Sequence, residues 1–265
     1  MDEQDFRADI IDALNCYKKA SEQNPQATLA ALCQKHARES KVSAAVHPKD
    51  YIFQYVLKHP GFPNIDEAVK YYFDDGRRSA DMLKATLQND LSIDVAKRKT
   101  MLEFASGYGA VTRHLRAVLP MFDITSSDIH QAANDFIVTM LGEKAIQSST
   151  VPELFDARGE YDLVFALSFF SNMPKETWRR WLTALYKPLC VGGHLIFTTH
   201  GAKTLSGMPV DVVLDDDGFC FRPESEQNDL ETSEMGIYVT QVDAGYPNIL
   251  WFQKSGGAEH LTSDL

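Results

Sequence analysis

Apolar side chains in the first third of the chain, from Phe6 to about Asp90, recur every three or four positions, which is the period of amphipathic helices. One predicted helix carries the apolar face Phe6, Ile10, Ile11, Leu14 and Tyr17. A second is predicted to begin at Asn24-Pro25, because an asparagine N-cap followed by a first-turn proline favours a helix start. The pattern therefore predicts a helical N-terminal extension over residues 1–96.

A third helix is predicted to begin at Asn64, because the segment Asn64-Ile65-Asp66-Glu67 has the layout of a capping box. Gly76 is expected to interrupt this helix before a further helical segment from Ser79 to Leu87.

The pattern changes after Lys97, where short apolar runs alternate with amphipathic segments. The predicted strands are Thr100 to Phe104, Phe122 to Ser126, Ala145 to Gln147, Tyr161 to Leu167 and His194 to Thr199. The predicted helices between them are Val111 to Val118, Gln131 to Leu141 and Lys175 to Tyr186. Such alternation is typical of βαβ units, whose right-handed crossovers give a parallel sheet. The predicted fold class for residues 97–265 is α/β, with a Rossmann-like, doubly wound, mostly parallel sheet.

The end of the chain is less regular. Three short strands are predicted there, and they are expected to add antiparallel edge strands to the sheet: Gly218 to Phe221, Gly236 to Thr240 and Asn248 to Gln253. The acidic run Asp215-Asp216-Asp217 precedes them. Such a run is more often a solvated turn than a cation site, so no metal is predicted.

Composition argues against several classes of function. The chain is 44% apolar and 24% charged, which is enough to form a buried core, and its formal net charge of -11 disfavours binding to a polyanion such as nucleic acid. The four cysteines are scattered, without zinc-site spacing. No apolar run approaches the ~20 residues that cross a bilayer, and Met1-Asp2-Glu3 is unlike a signal peptide. We expect a cytoplasmic protein with no nucleic-acid or membrane partner.

The strongest motif is Met101-Leu102-Glu103-Phe104-Ala105-Ser106-Gly107-Tyr108-Gly109, where an apolar strand enters a loop of small residues ahead of a helix. Glycine lets the backbone turn sharply and approach a ligand closely. An acid, Asp128, ends the next predicted strand about nineteen residues later. This order of strand, loop, helix and acid predicts a ligand-binding site.

Glu103 decides which ligand is expected. The segment Ala105-x-Gly107-x-x-Ala110 can be aligned with the dinucleotide pattern G-x-G-x-x-G. A carboxylate beside the turn would repel a pyrophosphate, whereas it suits the ammonium group of an amino-acid moiety. S-adenosylmethionine (SAM) is therefore favoured over NAD.

Asp128 is expected to accept hydrogen bonds from both hydroxyls of the ribose. The alternative is that Asp128 only caps the helix predicted after it. Ile129, which follows directly, is expected to pack on the face of the adenine.

Five segments in this order resemble the class I SAM-dependent methyltransferases. They are Glu103 to Gly109, Asp128, Tyr161 to Leu167, Trp178 to Leu182, and Leu189 to Gly201, the last resembling the ending L-x-P-G-G-x-L-x-F-T-T-H-G. The resemblance covers Met101 to Gly201. It implies SAM as the cofactor, S-adenosylhomocysteine (SAH) as its product, and O- or N-methylation of a small-molecule acceptor.

A closer resemblance is to bacterial small-molecule methyltransferases with the helical lead-in Y-F-x-x-G-R, which here is Tyr72 to Arg77. In that group an upstream helix closes over SAM, so the resemblance implies that Tyr72 and Arg77 meet the carboxylate end of the cofactor. The alternative is that Tyr72 is a core residue and Arg77 a surface charge. Two departures stand out: Ala105 replaces the usual first glycine, which is tolerable if its φ is negative, and Asn172 stands where similar proteins often carry a histidine.

The site residues predicted from these segments fall into two groups. The residues expected to bind the cofactor are Tyr72, Arg77, Glu103, Ala105, Ser106, Gly107, Tyr108, Gly109, Asp128, Ile129, Ser149, Leu167 and Ser168. A hydroxyl acceptor would benefit from a general base, and the candidates are His200, Asn172 through a bound water, and Tyr71. The expected partners are the small-molecule acceptor and, in a homodimer, a second copy of the chain.

Two other classes of function remain open at this point. A SAM-binding module without catalysis would keep Glu103 and Asp128 but lack a productive acceptor pocket, and the asparagine at position 172 is consistent with it. An NAD-dependent oxidoreductase is the third class, and Glu103 argues against it. The fold alone does not choose among the three.

Overall fold

The computed structural model describes residues 25–200, 219–222, 235–238 and 248–255. The predicted helix from Phe6 to Tyr17 and the run Asp215-Asp216-Asp217 lie outside them. The helices are α1 (Pro25–Ser40), α2 (Tyr51–Lys58), α3 (Ile65–Ala85), α4 (Thr112–Val118), α5 (Gln131–Phe136) and α6 (Lys175–Tyr186). The strands are β1 (Lys99–Phe104), β2 (Phe122–Asp128), β3 (Lys144–Gln147), β4 (Tyr161–Ala166), β5 (Leu189–Thr199), β6 (Phe219–Arg222), β7 (Met235–Tyr238) and β8 (Asn248–Gln253).

Six of these strands form one sheet in the order β3-β2-β1-β4-β5-β8. The strands from β3 to β5 pair in parallel, and β8 pairs antiparallel with β5. The predicted α/β fold with a mostly parallel sheet and an antiparallel edge is therefore confirmed. Strands β6 and β7 pair with each other in a separate sheet, so of the three tail strands β8 alone extends the main sheet.

The central strands are buried on both faces, as parallel sheets require. On one face, Leu102 and Phe104 of β1 pack in a cluster with Trp181 of α6. On the other face, Met101 packs in a cluster with Leu115 of α4. Because β1, β2 and β4 run parallel, the loops that follow them lie at the same edge of the sheet. The strand order reverses between β1 and β4, and doubly wound folds bind ligands beyond the carboxyl ends at this switch point.

Strand β5 begins at Leu189, earlier than the predicted start at His194. The two glycines before His194 therefore lie inside the strand, where the register with β4 shifts. Gly192 has a φ of +81°, and a Cβ on Gly193 would lie 3.0 Å from the carbonyl oxygen of Tyr161. The glycines permit a β-bulge at this position.

Helix α3 is continuous from Ile65 to Ala85, so the prediction that Gly76 interrupts it is wrong. Asn64 caps the helix as predicted, since its side chain accepts a hydrogen bond from the Glu67 N–H at 2.9 Å. Gly76 is buried, and a Cβ there would lie 2.2 Å from the carbonyl oxygen of Ala110. The glycine allows α3 to approach the chain just before α4 more closely than any other residue would permit.

Candidate functional site

The loop from Ala105 to Gly109 joins β1 to α4 and contains three residues with positive φ. Ala105 has a φ of +57°, so the condition of a negative φ, under which alanine would be tolerated there, is not met. Gly107 and Gly109 have φ values of +54° and +79°. A Cβ on Gly107 would have no atom within 4 Å, whereas one on Gly109 would lie 2.4 Å from Leu141 Cδ1. The backbone of Gly107 therefore faces open space that a ligand can approach, and Gly109 packs inward.

Replacing Ala105 with glycine is expected to raise the free energy of unfolding by up to about 1 kcal/mol. The left-handed conformation costs alanine about 1–2 kcal/mol, and the greater freedom of glycine in the unfolded chain offsets about 0.4–1 kcal/mol of that gain. Urea unfolding measures the difference. Ala110→Gly is the control and should lose stability, because Ala110 is not among the positive-φ residues. A loss of stability in Ala105→Gly would contradict the presence of strain.

Glu103 lies at the carboxyl end of β1, with 4% of its surface exposed. Its Oε2 atom accepts hydrogen bonds from Thr112 Oγ1 at 2.6 Å and from Ser126 Oγ at 2.9 Å. Burial raises the pKa of Glu103 to about 7, and the two hydroxyls oppose this shift only in part. The nearby charges that act on it, Glu143 and Asp128, are also acidic. A cationic ligand group would therefore stabilise the ionised form of this carboxyl.

Stability should depend on pH through Glu103. Because its folded pKa of about 7 lies above the ordinary glutamate pKa of 4.5, the stabilisation is complete below pH 4.5 and is lost as the pH rises through 7. Between pH 5 and pH 8, the free energy of unfolding of wild type should therefore fall by about 2–3 kcal/mol more than that of Glu103→Gln. Urea unfolding at both pH values measures this, with the exposed Glu160→Gln as control. An equal pH dependence in Glu103→Gln and wild type would contradict the raised pKa.

Asp128 ends β2 and contacts the glycine loop directly. The Gly107 N–H donates to its Oδ2 atom at 2.9 Å. The His130 N–H donates to Oδ1 at 2.9 Å, and His130 Nδ1 lies 2.8 Å from the same oxygen. The N-cap of α5 is His130, without a side-chain capping bond. The carboxylate of Asp128 therefore bonds to the loop and to His130 and does not cap α5 through its side chain, so the helix-cap alternative does not describe its contacts.

Asn134, which the sequence analysis missed, holds the end of β2 in place. Its Oδ1 accepts from the Asp128 N–H at 3.1 Å, and its Nδ2 donates to the Asp128 carbonyl at 3.0 Å and to Gln147 Oε1 at 2.9 Å. Gln147 Nε2 in turn donates to the carbonyl of Ile129 at 2.6 Å. No sequence motif could have identified Asn134 as a site residue, because its role depends on how α5 folds back onto β2.

Two serine hydroxyls near the ends of β2 and β3 are buried and have no hydrogen-bond partner among the described residues, those of Ser127 and Ser148. Such groups are uncommon in folded proteins. Ser127 is in register with Ile146, and the alternation of side chains places Ser148 on the same face. Ser149, the predicted adenine neighbour, instead accepts from the Val151 N–H at 3.0 Å in a local turn. The hydroxyls of Ser127 and Ser148 are therefore unused by the described residues, whereas the hydroxyl of Ser149 is not.

Ser168 and Asn172 lie together beyond β4. Ser168 has a φ of +56°, and its N–H donates to Thr198 Oγ1 at 2.7 Å. Asn172 Nδ2 donates to the carbonyl of Ser168 at 2.8 Å, so Asn172 anchors the turn. Leu167 packs partly buried against the core.

His200 follows β5, and burial lowers the pKa of its imidazole, which favours the neutral form that can accept a proton.

The structure places the two predicted lead-in residues, Tyr72 and Arg77, in different environments. Tyr72 is 2% exposed, and its hydroxyl donates to Asp50 Oδ2 at 2.6 Å. Arg77 is exposed and lies 3.6 Å from Asp81. The structure thus places Tyr72 in the core and Arg77 on the surface. This matches the alternative given for both residues in the sequence analysis, in which neither meets the cofactor. Tyr71 is 39% exposed and packs on Phe62, with a centroid distance of 5.0 Å.

Arg113 is a second residue that the sequence analysis missed, and it connects the N-terminal extension to the glycine loop. Its Nε donates to the Gly109 carbonyl at 3.0 Å, and its Nη1 donates to the carbonyls of Ser43 and Ala45 at 3.0 and 2.8 Å. Its Nη2 donates to the Tyr72 hydroxyl at 3.2 Å. The guanidinium is buried, so these contacts replace its water.

His47 adds a ring contact between the extension and the loop. Its imidazole stacks on Tyr108, with centroids 4.4 Å apart and an interplanar angle of 11°. Phe136 meets both rings edge-on. Burial and then the charge of Asp128 raise the pKa of Tyr108. The segment after α1 therefore lies against the loop at Tyr108.

In the part of the chain that the structure describes, no three His, Cys, Asp or Glu side chains are grouped so that they could hold a metal ion. No helix within it is both long and apolar enough to cross a membrane.

No protein-family model and no curated protein matches the chain. Similar solved structures include SAM-bound CalS10, an amino pentose methyltransferase from Micromonospora echinaspora, at 17% identity and a TM-score of 0.40; the match covers 58% of this chain and 57% of CalS10. DesVI from Streptomyces venezuelae is 15% identical with a TM-score of 0.42, over 67% of this chain and 68% of DesVI. The plantazolicin methyltransferase BpumL, in complex with SAH, is 17% identical with a TM-score of 0.40, over 68% of each chain. At these identities the likeness concerns the fold alone.

Proposed function

We propose that this chain is a SAM-dependent methyltransferase that transfers a methyl group to a small-molecule acceptor. The observation that carries the proposal is the pair of buried carboxylates, Glu103 and Asp128, on either side of the glycine loop at the switch point of the sheet. The Gly107 N–H links that loop to Asp128. The backbone of Gly107 faces open space from which a ligand can approach the loop.

The position of Glu103 favours SAM over a dinucleotide. Its carboxylate bonds to Thr112, the first residue of α4. In a dinucleotide-binding fold the pyrophosphate lies at this helix N-terminus. A buried carboxylate there would repel a pyrophosphate, whereas it would stabilise the cationic amino-acid end of SAM.

The remaining residues fit a nucleoside with an activated methyl group. When bound, SAM supplies that methyl group, and the protein mainly orients the acceptor. Asp128 would accept the ribose hydroxyls, and Ser127 and Ser148 offer buried hydroxyls with no partner among the described residues to a polar edge of the ligand.

His200 is the proposed general base for a hydroxyl acceptor, since burial favours its neutral form. Asn172 is the weaker candidate, because its amide already anchors Ser168. Tyr71 is also weaker, because its ring packs on the extension against Phe62.

The test is the formation of SAH from SAM in the presence of pooled small molecules, one pool bearing hydroxyls and one bearing amines, followed by mass spectrometry. We expect SAH and a methylated product in equal amounts from at least one pool. His200→Gln should then lower kcat more than it raises KM, whereas the control His59→Gln should change neither, because His59 packs on the extension between Tyr55 and Phe62.

A non-catalytic SAM-binding module is the second candidate. The hydrogen bond from Asn172 to Ser168 favours it, because an anchoring amide stands where similar proteins often carry a histidine. SAM binding without SAH formation from either pool would support this second function.

A further inference from the structure

The hydrogen bonds of Asp128 leave room for only part of the ligand it is proposed to bind. A carboxylate offers about four acceptor positions, two on each oxygen. On Oδ1, the His130 N–H and the His130 ring take both. On Oδ2, the Gly107 N–H takes one. One position is left, whereas a ribose diol that bonds through both hydroxyls needs two.

His130 is the contact that can give way. The two N–H donors belong to the backbone of the glycine loop and of the turn after β2, so they are fixed by the fold. The imidazole of His130 is a side chain, and 49% of it is exposed. If the ring turns away, one acceptor position becomes free on each oxygen, which matches two neighbouring hydroxyls.

We propose that the imidazole of His130 competes with the ribose diol for Asp128 and leaves the carboxylate when the nucleoside binds. This inference rests on the proposed function, because it assumes a ribose at Asp128. It makes His130 a residue that sets the affinity of the site and its response to pH.

The pH dependence follows from the charge of the ring. Asp128 raises the pKa of His130 above its ordinary value, through the hydrogen bond between them. A protonated ring holds the carboxylate more tightly than a neutral one, so nucleoside affinity should rise as the pH rises through that pKa.

Other titratable groups lie close enough to contribute. Glu103 acts from β1, and Tyr108 from the glycine loop. From the extension, Asp50 acts on Tyr108 electrostatically, and His47 stacks on its ring. Glu103 would respond mainly to a cationic ligand. A neutral nucleoside therefore separates the effect of His130 from that of Glu103.

The experiment measures the binding of 5′-methylthioadenosine, which keeps the diol and lacks the amino-acid end, to wild type and His130→Ala at pH 6, 7 and 8. We expect His130→Ala to bind about threefold to tenfold more tightly than wild type at pH 6, and within about twofold at pH 8. The 2′,3′-dideoxy form of the same nucleoside should show no such gap. His59→Ala is the control histidine and should behave as wild type.

A second measurement does not depend on the variant. Histidine NMR of the wild-type chain should show the pKa of His130 falling toward its ordinary range when 5′-methylthioadenosine is added. Weaker or equal binding by His130→Ala at pH 6, or an unchanged pKa for His130, would overturn the inference while nucleoside binding stands. Absence of both SAH and 5′-methylthioadenosine binding to wild type would instead overturn the proposed function.

Discussion

Replacing Gly76 with alanine is expected to lower the free energy of unfolding by roughly 2 kcal/mol and to weaken SAH binding about tenfold. The new Cβ would lie 2.2 Å from the Ala110 carbonyl oxygen and 3.0 Å from the His114 ring. Overpacking of this kind costs about 1–3 kcal/mol or more, and the better helix propensity of alanine offsets about 1 kcal/mol of it. The obstacle is a backbone atom, so α3 must move away from the chain that leads from the glycine loop into α4.

Urea unfolding and SAH titration measure the two effects of Gly76→Ala. Gly159→Ala is the matched control, because its Cβ would lie at an ordinary 3.7 Å from the Tyr161 ring. The control should change stability by less than about 1 kcal/mol. If Gly76→Ala proves as stable as wild type, the close approach of α3 to the loop is not the constraint on this position.

Replacing Asp128 with asparagine is expected to weaken SAH binding by at least about 100-fold. Hydrogen bonds to a charged acceptor contribute about 1.5–3 kcal/mol each, and the ribose offers two. The amide keeps the size of the side chain but loses the charge and one of the two acceptor oxygens, so a bidentate contact with the diol is lost. Calorimetry on wild type and Asp128→Asn gives both affinities.

Asp123→Asn is the matched control for this change. Asp123 lies on the same strand but near its amino end, and it pairs with Lys144 at 2.7 Å. Its substitution should leave the affinity for SAH within about twofold, because exposed ion pairs contribute only about 0–1 kcal/mol. An Asp128→Asn chain that binds SAH within threefold of wild type would show that this carboxylate is not the ribose acceptor.

The fold was predictable because its signals are local. Buried parallel strands are short apolar runs, and each is followed by a helix with its own period. Two of the errors came from glycines whose role is tertiary. Gly76 looked like a helix break because its contact with Ala110 is invisible in sequence. The start of β5 was predicted too late because the bulge at Gly192 and Gly193 depends on the neighbouring strand.

The positions of the two acids in the candidate site could be predicted from the sequence, whereas those of the supporting residues could not. Glu103 and Asp128 each end a strand, and the parallel sheet places both strand ends at one edge. Arg113 and Asn134 carry no motif, since their partners are backbone groups brought near by folding. The positive φ of Ala105 was not predictable from the residue type, because the shape of the loop, not the preference of alanine, sets the backbone there.

The central claim is that the site holds SAM through two carboxylates, and calorimetric titration with SAH tests it most directly. Wild type should bind SAH with micromolar affinity and should not bind NAD, whereas Glu103→Ala and Asp128→Ala, each checked for folding, should lose SAH binding. No SAH binding by folded wild type, or NAD binding in its place, would contradict the account.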